Sequence, residues 1–323
     1  MSDQIDAAND FIVFSGTANR PLADKVMAYL GKPLGQINIR HFPDGETFCQ
    51  IEESVRGRDV FIIQSTSPAP NDALMELFVM MDAARRGSAA RITAVLPYYG
   101  YARQDRKDKP RVPITAKLVA NLLVTAGADR VLTMDLHANQ IQGFFDIPVD
   151  HLHAEPVILK YIREMGLKHP IVVSPDTGGA KTAYGYSRKL GCGLAIVAKQ
   201  RLGDSEVDAF SVVGDVKGKD VIMVDDMTAT GGTLSAAAKI LREHGAVSVR
   251  AAVSHFPLTA KGVERLANEK ELTELVVTDT IPLRPDFDVS KLLFKLTVLT
   301  VSEILGEAIR RIHNNQSVNS LFK

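Results

Sequence analysis

Val221-Ile222-Met223-Val224-Asp225-Asp226-Met227-Thr228-Ala229-Thr230-Gly231-Gly232-Thr233-Leu234 runs from an apolar stretch into adjacent carboxylates, then through hydroxyls and paired glycines. The apolar run suits a strand buried on both faces. From Leu234 the pattern turns helical: Leu234, Ala237, Ala238 and Leu241 share a face, and Gly245 supplies a left-handed stop. A strand, a glycine-rich turn and a helix start form a geometry for holding a phosphate. The backbone N–H groups of Gly231, Gly232 and Thr233 are expected to point at the anion, aided by the positive end of the helix dipole. Thr228, Thr230 and Thr233 add hydroxyl donors. Asp225 and Asp226 would repel a bare phosphate but accept well from sugar hydroxyls, so the stretch reads as a ribose-phosphate site. It is not a P-loop, because no lysine follows the glycines.

Working outward, this stretch resembles the phosphoribosyl-diphosphate loop of the phosphoribosyltransferase fold. An internal repeat extends the reading to the whole chain. Gly57-Arg58-Asp59-Val60-Phe61-Ile62-Ile63-Gln64 echoes Gly218-Lys219-Asp220-Val221-Ile222-Met223-Val224-Asp225. Upstream, the run from Phe11 pairs with the run from Ile171; downstream, Arg91 to Leu96 matches Val249 to Ser254. The expected class is therefore α/β, with two tandem domains, each a mainly parallel sheet flanked by helices, related by duplication. Ligands should sit beyond the carboxyl ends of the strands. The first copy has lost its cradle, since Ser65-Thr66-Ser67-Pro68-Ala69-Pro70-Asn71 stands where the second has acids and glycines.

Composition narrows the function classes. The chain has 323 residues, enough for two domains, with 46% hydrophobic residues and 38 basic against 38 acidic side chains. Such a balance leaves no nucleic-acid footprint. Met1 to Asp10 is polar and acidic rather than a signal peptide, and no apolar run is long enough for a bilayer. Cys49 and Cys192 lack any spacing partner and read as free thiols in a reducing compartment. A cytoplasmic protein without membrane or nucleic-acid partners is expected.

Three further stretches carry chemistry. His41-Phe42-Pro43-Asp44-Gly45-Glu46 places an aromatic beside acids on a turn, where Phe42 could stack on a base and the acids accept from an amine. Tyr98-Tyr99-Gly100-Tyr101-Ala102-Arg103-Gln104-Asp105-Arg106-Lys107 follows a strand end, where an arginine can stack on a base or clamp phosphates. Asp135-Leu136-His137-Ala138-Asn139-Gln140-Ile141-Gln142-Gly143-Phe144-Phe145-Asp146-Ile147-Pro148-Val149-Asp150 sets a histidine among carboxylates and amides. Zinc does not fit, having neither cysteine nor a second histidine at suitable spacing, because His151 and His153 lie well downstream. Magnesium shared with phosphate oxygens fits better.

Together these stretches resemble the ribose-phosphate pyrophosphokinase family, from about Phe11 to Phe322. The resemblance implies transfer of a pyrophosphoryl group from MgATP to the C1 hydroxyl of ribose 5-phosphate. It implies ATP at Phe42, Asp44, Glu46, Arg103, Gln104 and His137, with Mg2+ at His137 and Asp176. Lys199 and Arg201 match the basic pair of a mobile catalytic loop continued by Leu202 to Glu206. Asp225, Asp226, Thr228, Thr230, Gly231, Gly232 and Thr233 would hold ribose 5-phosphate. Ser54, Arg56 and Ser317 resemble a regulatory phosphate site, and homo-oligomers, often hexamers built from dimers, are implied likewise.

The domains expected are residues 1–153, completed by the C-terminal helix and tail 303–323, and residues 154–302. Ala229 departs from the family pattern, which usually has a third acid there. Two rivals stay open: a phosphoribosyltransferase, which would not need Phe42, Arg103 or His137, and a non-catalytic regulatory relative. The latter should have lost cations or the histidine, yet Lys199, Arg201 and His137 are present.

Overall fold

Near-continuous apolar runs become the inner strands of two parallel sheets. In a computed structural model, which describes residues 11–201 and 208–322, the chain separates into two compact units. One runs to His153 and takes in Thr280–Pro282 and the chain from Thr300 onward; the other holds Ala154–Asp279 and Leu283–Leu299.

The first unit begins with β1 (Phe11–Ser15) and α1 (Arg20–Leu30), then a hairpin of β2 (Ile37–His41) and β3 (Thr47–Ile51). It continues through β4 (Asp59–Ile63), α2 (Pro70–Arg86), β5 (Arg91–Leu96), α3 (Thr115–Ala126), β6 (Arg130–Met134) and β7 (Val149–Leu152). Strands β1, β4, β5, β6 and β7 lie in that order, all parallel. Both faces are covered, so β1 and most of β4 to β6 are buried without alternation. The β2–β3 hairpin forms its own antiparallel pair. Its turn is closed by Phe42 N–H on the Glu46 carbonyl (2.8 Å), and Gly45 takes the left-handed φ of +95° that the turn needs.

The second unit contains α4 (Glu155–Glu164), β8 (Pro170–Ser174), α5 (Ala180–Leu190), β9 (Gly193–Arg201), β10 (Asp208–Val213) and β11 (Asp220–Met227). There follow α6 (Gly232–Glu243), β12 (Ser248–His255), α7 (Ala260–Ala267), β13 (Glu274–Thr278) and β14 (Lys295–Leu299). The sheet order is β10-β9-β8-β11-β12-β13-β14, with only the edge pair β10–β9 antiparallel. Leu234, Ala237, Ala238 and Leu241 of α6 are buried on one face, and Gly245 lies just past the helix end at φ +86°.

Pairing registers express the repeat and correct its alignment. Asp59 pairs with Phe11, and Asp220 with Pro170, so Phe11 corresponds to Pro170 rather than to Ile171. Likewise Arg91, the partner of Asp59, corresponds to Ser248 rather than to Val249. An unbroken apolar run carries no period to fix its own register, so only strand pairing reveals it.

The last helix, α8 (Ser302–His313), returns to the first unit and packs on α1. Gly306 admits the Tyr29 ring, which would meet a Cβ at 2.5 Å, and Tyr29 Oη donates to Glu307 at 3.0 Å. At the far end, Arg91 donates to the Ile312 carbonyl (3.1 Å), pairs with Asp59, and leaves Asp59 Oδ2 within 3.0 Å of His313 Nδ1.

Candidate active site

In the second unit β11 delivers Val221 to Val224 into the core and presents Asp225 and Asp226, half-buried, at its carboxyl end. Thr228 is buried and its N–H donates to the His255 carbonyl at 3.1 Å, while Thr230 and Thr233 are exposed. Gly231 precedes α6 in the left-handed region, φ +66°, and Gly232 is the first helical residue. Among the described residues, the N–H groups of Gly231 and Thr233 have no protein acceptor; that of Gly232 makes a long contact, 3.4 Å, to Thr230 Oγ1. These amides open the helix, where its dipole favours an anion.

Beside this loop the site is acidic. Burial, then the neighbouring Asp226 carboxylate and its hydrogen bond, then Asp176, push Asp225 up to about 8, although it accepts the Asp226 N–H at 2.9 Å. Asp176 stands two residues beyond the end of β8, at the position that the strand register matches to Asp226 of β11. Its Oδ1 accepts Gly179 N–H at 3.0 Å, and its carbonyl accepts the Ser174 hydroxyl at 2.6 Å. A Cβ on Gly179 would stand 2.8 Å from Ser174 Oγ, so the close approach of that hydroxyl calls for glycine, while Asp176 Oδ1 and Asp225 Oδ1 lie at ordinary contact distance, 3.8 and 4.0 Å. Crowded carboxylates offer oxygen only, a donor set suited to sugar hydroxyls and to a hard cation such as Mg2+.

The corresponding positions of the first unit are filled from inside. By the strand registers, Gln64 stands where Asp225 does, and Thr17 where Asp176 does. The buried Glu76 carboxylate of α2 accepts Thr17 N–H (2.7 Å), Thr17 hydroxyl (2.7 Å) and Gln64 Nε2 (2.6 Å). A carboxylate of the protein itself thus engages the positions at which the second unit has Asp176 and Asp225.

The first unit instead has a concavity lined by Arg103, Gln104, Asp105, Arg106, His137 and Gln140, among others. Thr115 Oγ1 donates to Gln104 Oε1 at 2.5 Å, and Ala116 N–H to the Gln104 carbonyl at 3.1 Å, so the start of α3 sets Gln104 in place. Tyr98 and Tyr99 do not face this space. Both are buried, Tyr99 Oη donates to the Ala116 carbonyl at 2.8 Å, and burial pushes its phenol pKa up. The lining does not include Phe42, Asp44 or Glu46. These stand on the β2–β3 turn, where Phe42 is 40% exposed and lies edge-on to Phe48, with the Arg40 guanidinium 4.4 Å from the Phe48 centroid.

The sequence separation of Asp135 from His151 and His153 disappears in the fold. Parallel pairing of β6 with β7 brings His151 and His153 beside Asp135, with a nitrogen from each and a carboxylate oxygen all within 4.8 Å of one another. Internal hydrogen bonds engage this cluster: His153 Nδ1 lies 2.8 Å from Asp135 Oδ1, and His151 Nε2 accepts Leu136 N–H at 2.9 Å. These bonds hold Asp135, at φ +37°, and the turn leading to His137.

Lys199 and Arg201 lie on β9, paired with Phe210 and Asp208 of β10; residues 202–207, the expected mobile loop, lie outside the described residues. Ser54 and Arg56 are exposed between β3 and β4. Ser317 is exposed in the tail and lines a concavity with Arg130, Asp150 and Asn319 that includes neither of them.

Comparison with known proteins decides the family. Residues 11–127 match the model of the N-terminal domain of ribose phosphate pyrophosphokinase, and residues 203–323 that of the phosphoribosyl synthetase-associated domain. The chain is 52% identical over 310 residues to the ribose-phosphate pyrophosphokinase of Campylobacter jejuni, covering 96% of this chain and 98% of that one. It belongs to the ribose-phosphate pyrophosphokinase family.

The Rhodopirellula baltica ribose-phosphate pyrophosphokinase is 51% identical over 314 residues, covering 96% and 98%. A crystal structure of phosphoribosylpyrophosphate synthetase from Mycobacterium smegmatis superposes with a TM-score of 0.87 at 45% identity, covering 95% of this chain and 99% of that one. Two parallel sheets flanked by helices are the architecture this family leads one to expect. Sequence reading missed Glu76 and the residues of α7 behind the loop. The first carries no motif, and the second lie about thirty residues beyond the loop they touch.

Proposed function

We propose that this chain makes 5-phosphoribosyl 1-pyrophosphate and AMP from ATP and ribose 5-phosphate, one unit supplying the pentose phosphate site and the other the nucleotide site. The observation that carries the reading is the junction of β11 with α6. There, amides of Gly231 and Thr233 at a helix start, without a protein acceptor among the described residues, stand next to Asp225 and Asp226 at a strand end. The amides, with the hydroxyls of Thr228, Thr230 and Thr233 and the N–H of Gly232, would take the 5-phosphate, and the two acids the ring hydroxyls. Arg103, Gln104 and His137 would bind the nucleotide, whose adenine the resemblance places with Phe42, Asp44 and Glu46.

Mg2+ suits Asp176 and its neighbouring acids, with His137 proposed for the nucleotide-bound ion. When bound it neutralises phosphate charge. Lys199 and Arg201 would stabilise the oxygens of the transferring group, because phosphoryl transfer needs alignment and charge compensation more than covalent help. Exclusion of water by the loop that follows them would keep water from competing with the sugar hydroxyl as nucleophile. A homo-oligomer in the cytoplasm, with a phosphate effector near Ser54, Arg56 and Ser317, completes the proposal. Incubation with MgATP and ribose 5-phosphate tests it: AMP and phosphoribosyl pyrophosphate should form in equal amounts. AMP formation independent of the sugar would refute it.

A further inference from the structure

The ribose-phosphate loop is held from behind by α7. The Ala229 carbonyl accepts both the N–H (2.9 Å) and the hydroxyl (3.2 Å) of Thr259, which also caps α7 by accepting Gly262 N–H at 3.2 Å. The next carbonyl, that of Thr230, accepts Arg265 Nη1 at 2.8 Å. Close approach makes this possible: a Cβ on Gly262 would sit 2.5 Å from the Ala229 carbonyl oxygen and 3.3 Å from Thr230 Cα. On the loop side, a Cβ on Gly232 would sit 2.8 Å from Arg265 Nη1, and one on Gly231 3.1 Å from Leu266 Cδ2.

In a trans peptide the carbonyl and the following N–H point in opposite directions. Fixing the Ala229 carbonyl on α7 therefore turns Thr230 N–H away from α7, and fixing the Thr230 carbonyl does the same for Gly231 N–H. Both donors then face the side on which α6 opens. We infer that α7 is the element that aims the loop's amides, with Arg265 a positioning residue for the phosphate of the substrate, acting through the Thr230 carbonyl rather than by touching the anion. The inference rests on the reading that this loop takes the 5-phosphate. It explains why a cation beside an anion site spends a donor on a neutral carbonyl.

The test is steady-state kinetics of the full chain in Arg265→Ala, Arg265→Lys and Gly262→Ala, beside a Thr230→Val, Thr233→Val double variant that perturbs the loop itself. Losing a charge-assisted bond that aims the donors should raise the KM for ribose 5-phosphate roughly tenfold, with the KM for ATP within about twofold of the parent. Arg265→Lys, which keeps one donor, should recover part of the loss, and Gly262→Ala should reproduce the selective rise. A general structural role would raise both KM values together and resist rescue by lysine; that result overturns the inference. So does an unchanged sugar KM in Arg265→Ala while the double threonine variant loses affinity. If the double variant also keeps its sugar KM, the phosphate-loop reading itself fails.

Discussion

The Glu76 carboxylate accepts both the backbone N–H and the hydroxyl of Thr17, each at 2.7 Å, in the unit that lacks the acids and paired glycines of Asp225 to Thr233. A third donor, Gln64 Nε2, reaches it at 2.6 Å, and only 2% of the residue is exposed. Truncation to alanine would remove the acceptor of three donors; Gln64 is buried and keeps the Ala73 carbonyl as a partner, while Thr17 is exposed and can turn to water. Glu76→Ala should therefore destabilise the protein by on the order of 1–2 kcal/mol, and Glu76→Gln, which keeps one acceptor, by less. Thermal melting of both variants checks the order. Equal melting of Glu76→Ala and the parent would show that the carboxylate does not hold this junction.

Asp225 provides the opposite case, a carboxylate held at a cost. Its pKa rises from 3.8 to about 8 because burial and the acids beside it disfavour the charged form. The folded state then binds a proton that the unfolded state has released between those values. Its contribution to stability is accordingly full below about pH 4 and falls as pH rises toward 8, levelling above it. Asp225→Asn removes that dependence. The variant should gain at least about 1 kcal/mol over the parent at pH 8, and little at pH 4, while losing activity. Melting of the metal-free proteins across that range measures the difference. A gain that shrank with rising pH would contradict the sign.

These two positions also mark how far the sequence could be read. The strand, glycines and helix face from Val221 to Leu241 were legible because each step has a local cause: an apolar run, a left-handed turn and a helical period. Register was not, since β1 is buried throughout and β8 everywhere but at Pro170, and a one-residue slip leaves so apolar a run little changed. Nor could spacing show that β6 and β7 pair in parallel and bring His153 to Asp135, or that Tyr98 and Tyr99 turn into the core. Glu76 and Arg265 act on residues 59 and 35 positions away, distances at which a single chain gives no pattern.

The docking of α8 depends on a missing side chain. A Cβ on Gly306 would approach Tyr29 Cδ1 to 2.5 Å, so a branched residue there must push the ring aside. Gly306→Val should cost about 1–3 kcal/mol and speed proteolysis of the C-terminal segment, because overpacking outweighs the gain from removing a helical glycine. Adding Tyr29→Ala removes the obstruction at the expense of the Glu307 hydrogen bond, and should restore part of the protection. Cleavage unaffected by Gly306→Val would exclude this contact as the anchor.

Lys199 tests the chemistry rather than the fold. Its backbone pairs with Phe210 in the edge hairpin, and alanine keeps the N–H and carbonyl that this pairing uses. Lys199→Ala should therefore melt close to the parent. If the ammonium stabilises charge on the transferring group, the variant should turn over roughly a hundredfold more slowly, with both KM values little changed, because the lost interaction is strongest in the transition state. Arg201→Ala should resemble it, and the double variant should fall well short of the product of the two losses if both cations serve the same oxygens. Turnover near that of the parent in Lys199→Ala would remove it from the catalytic machinery and leave charge stabilisation to other groups.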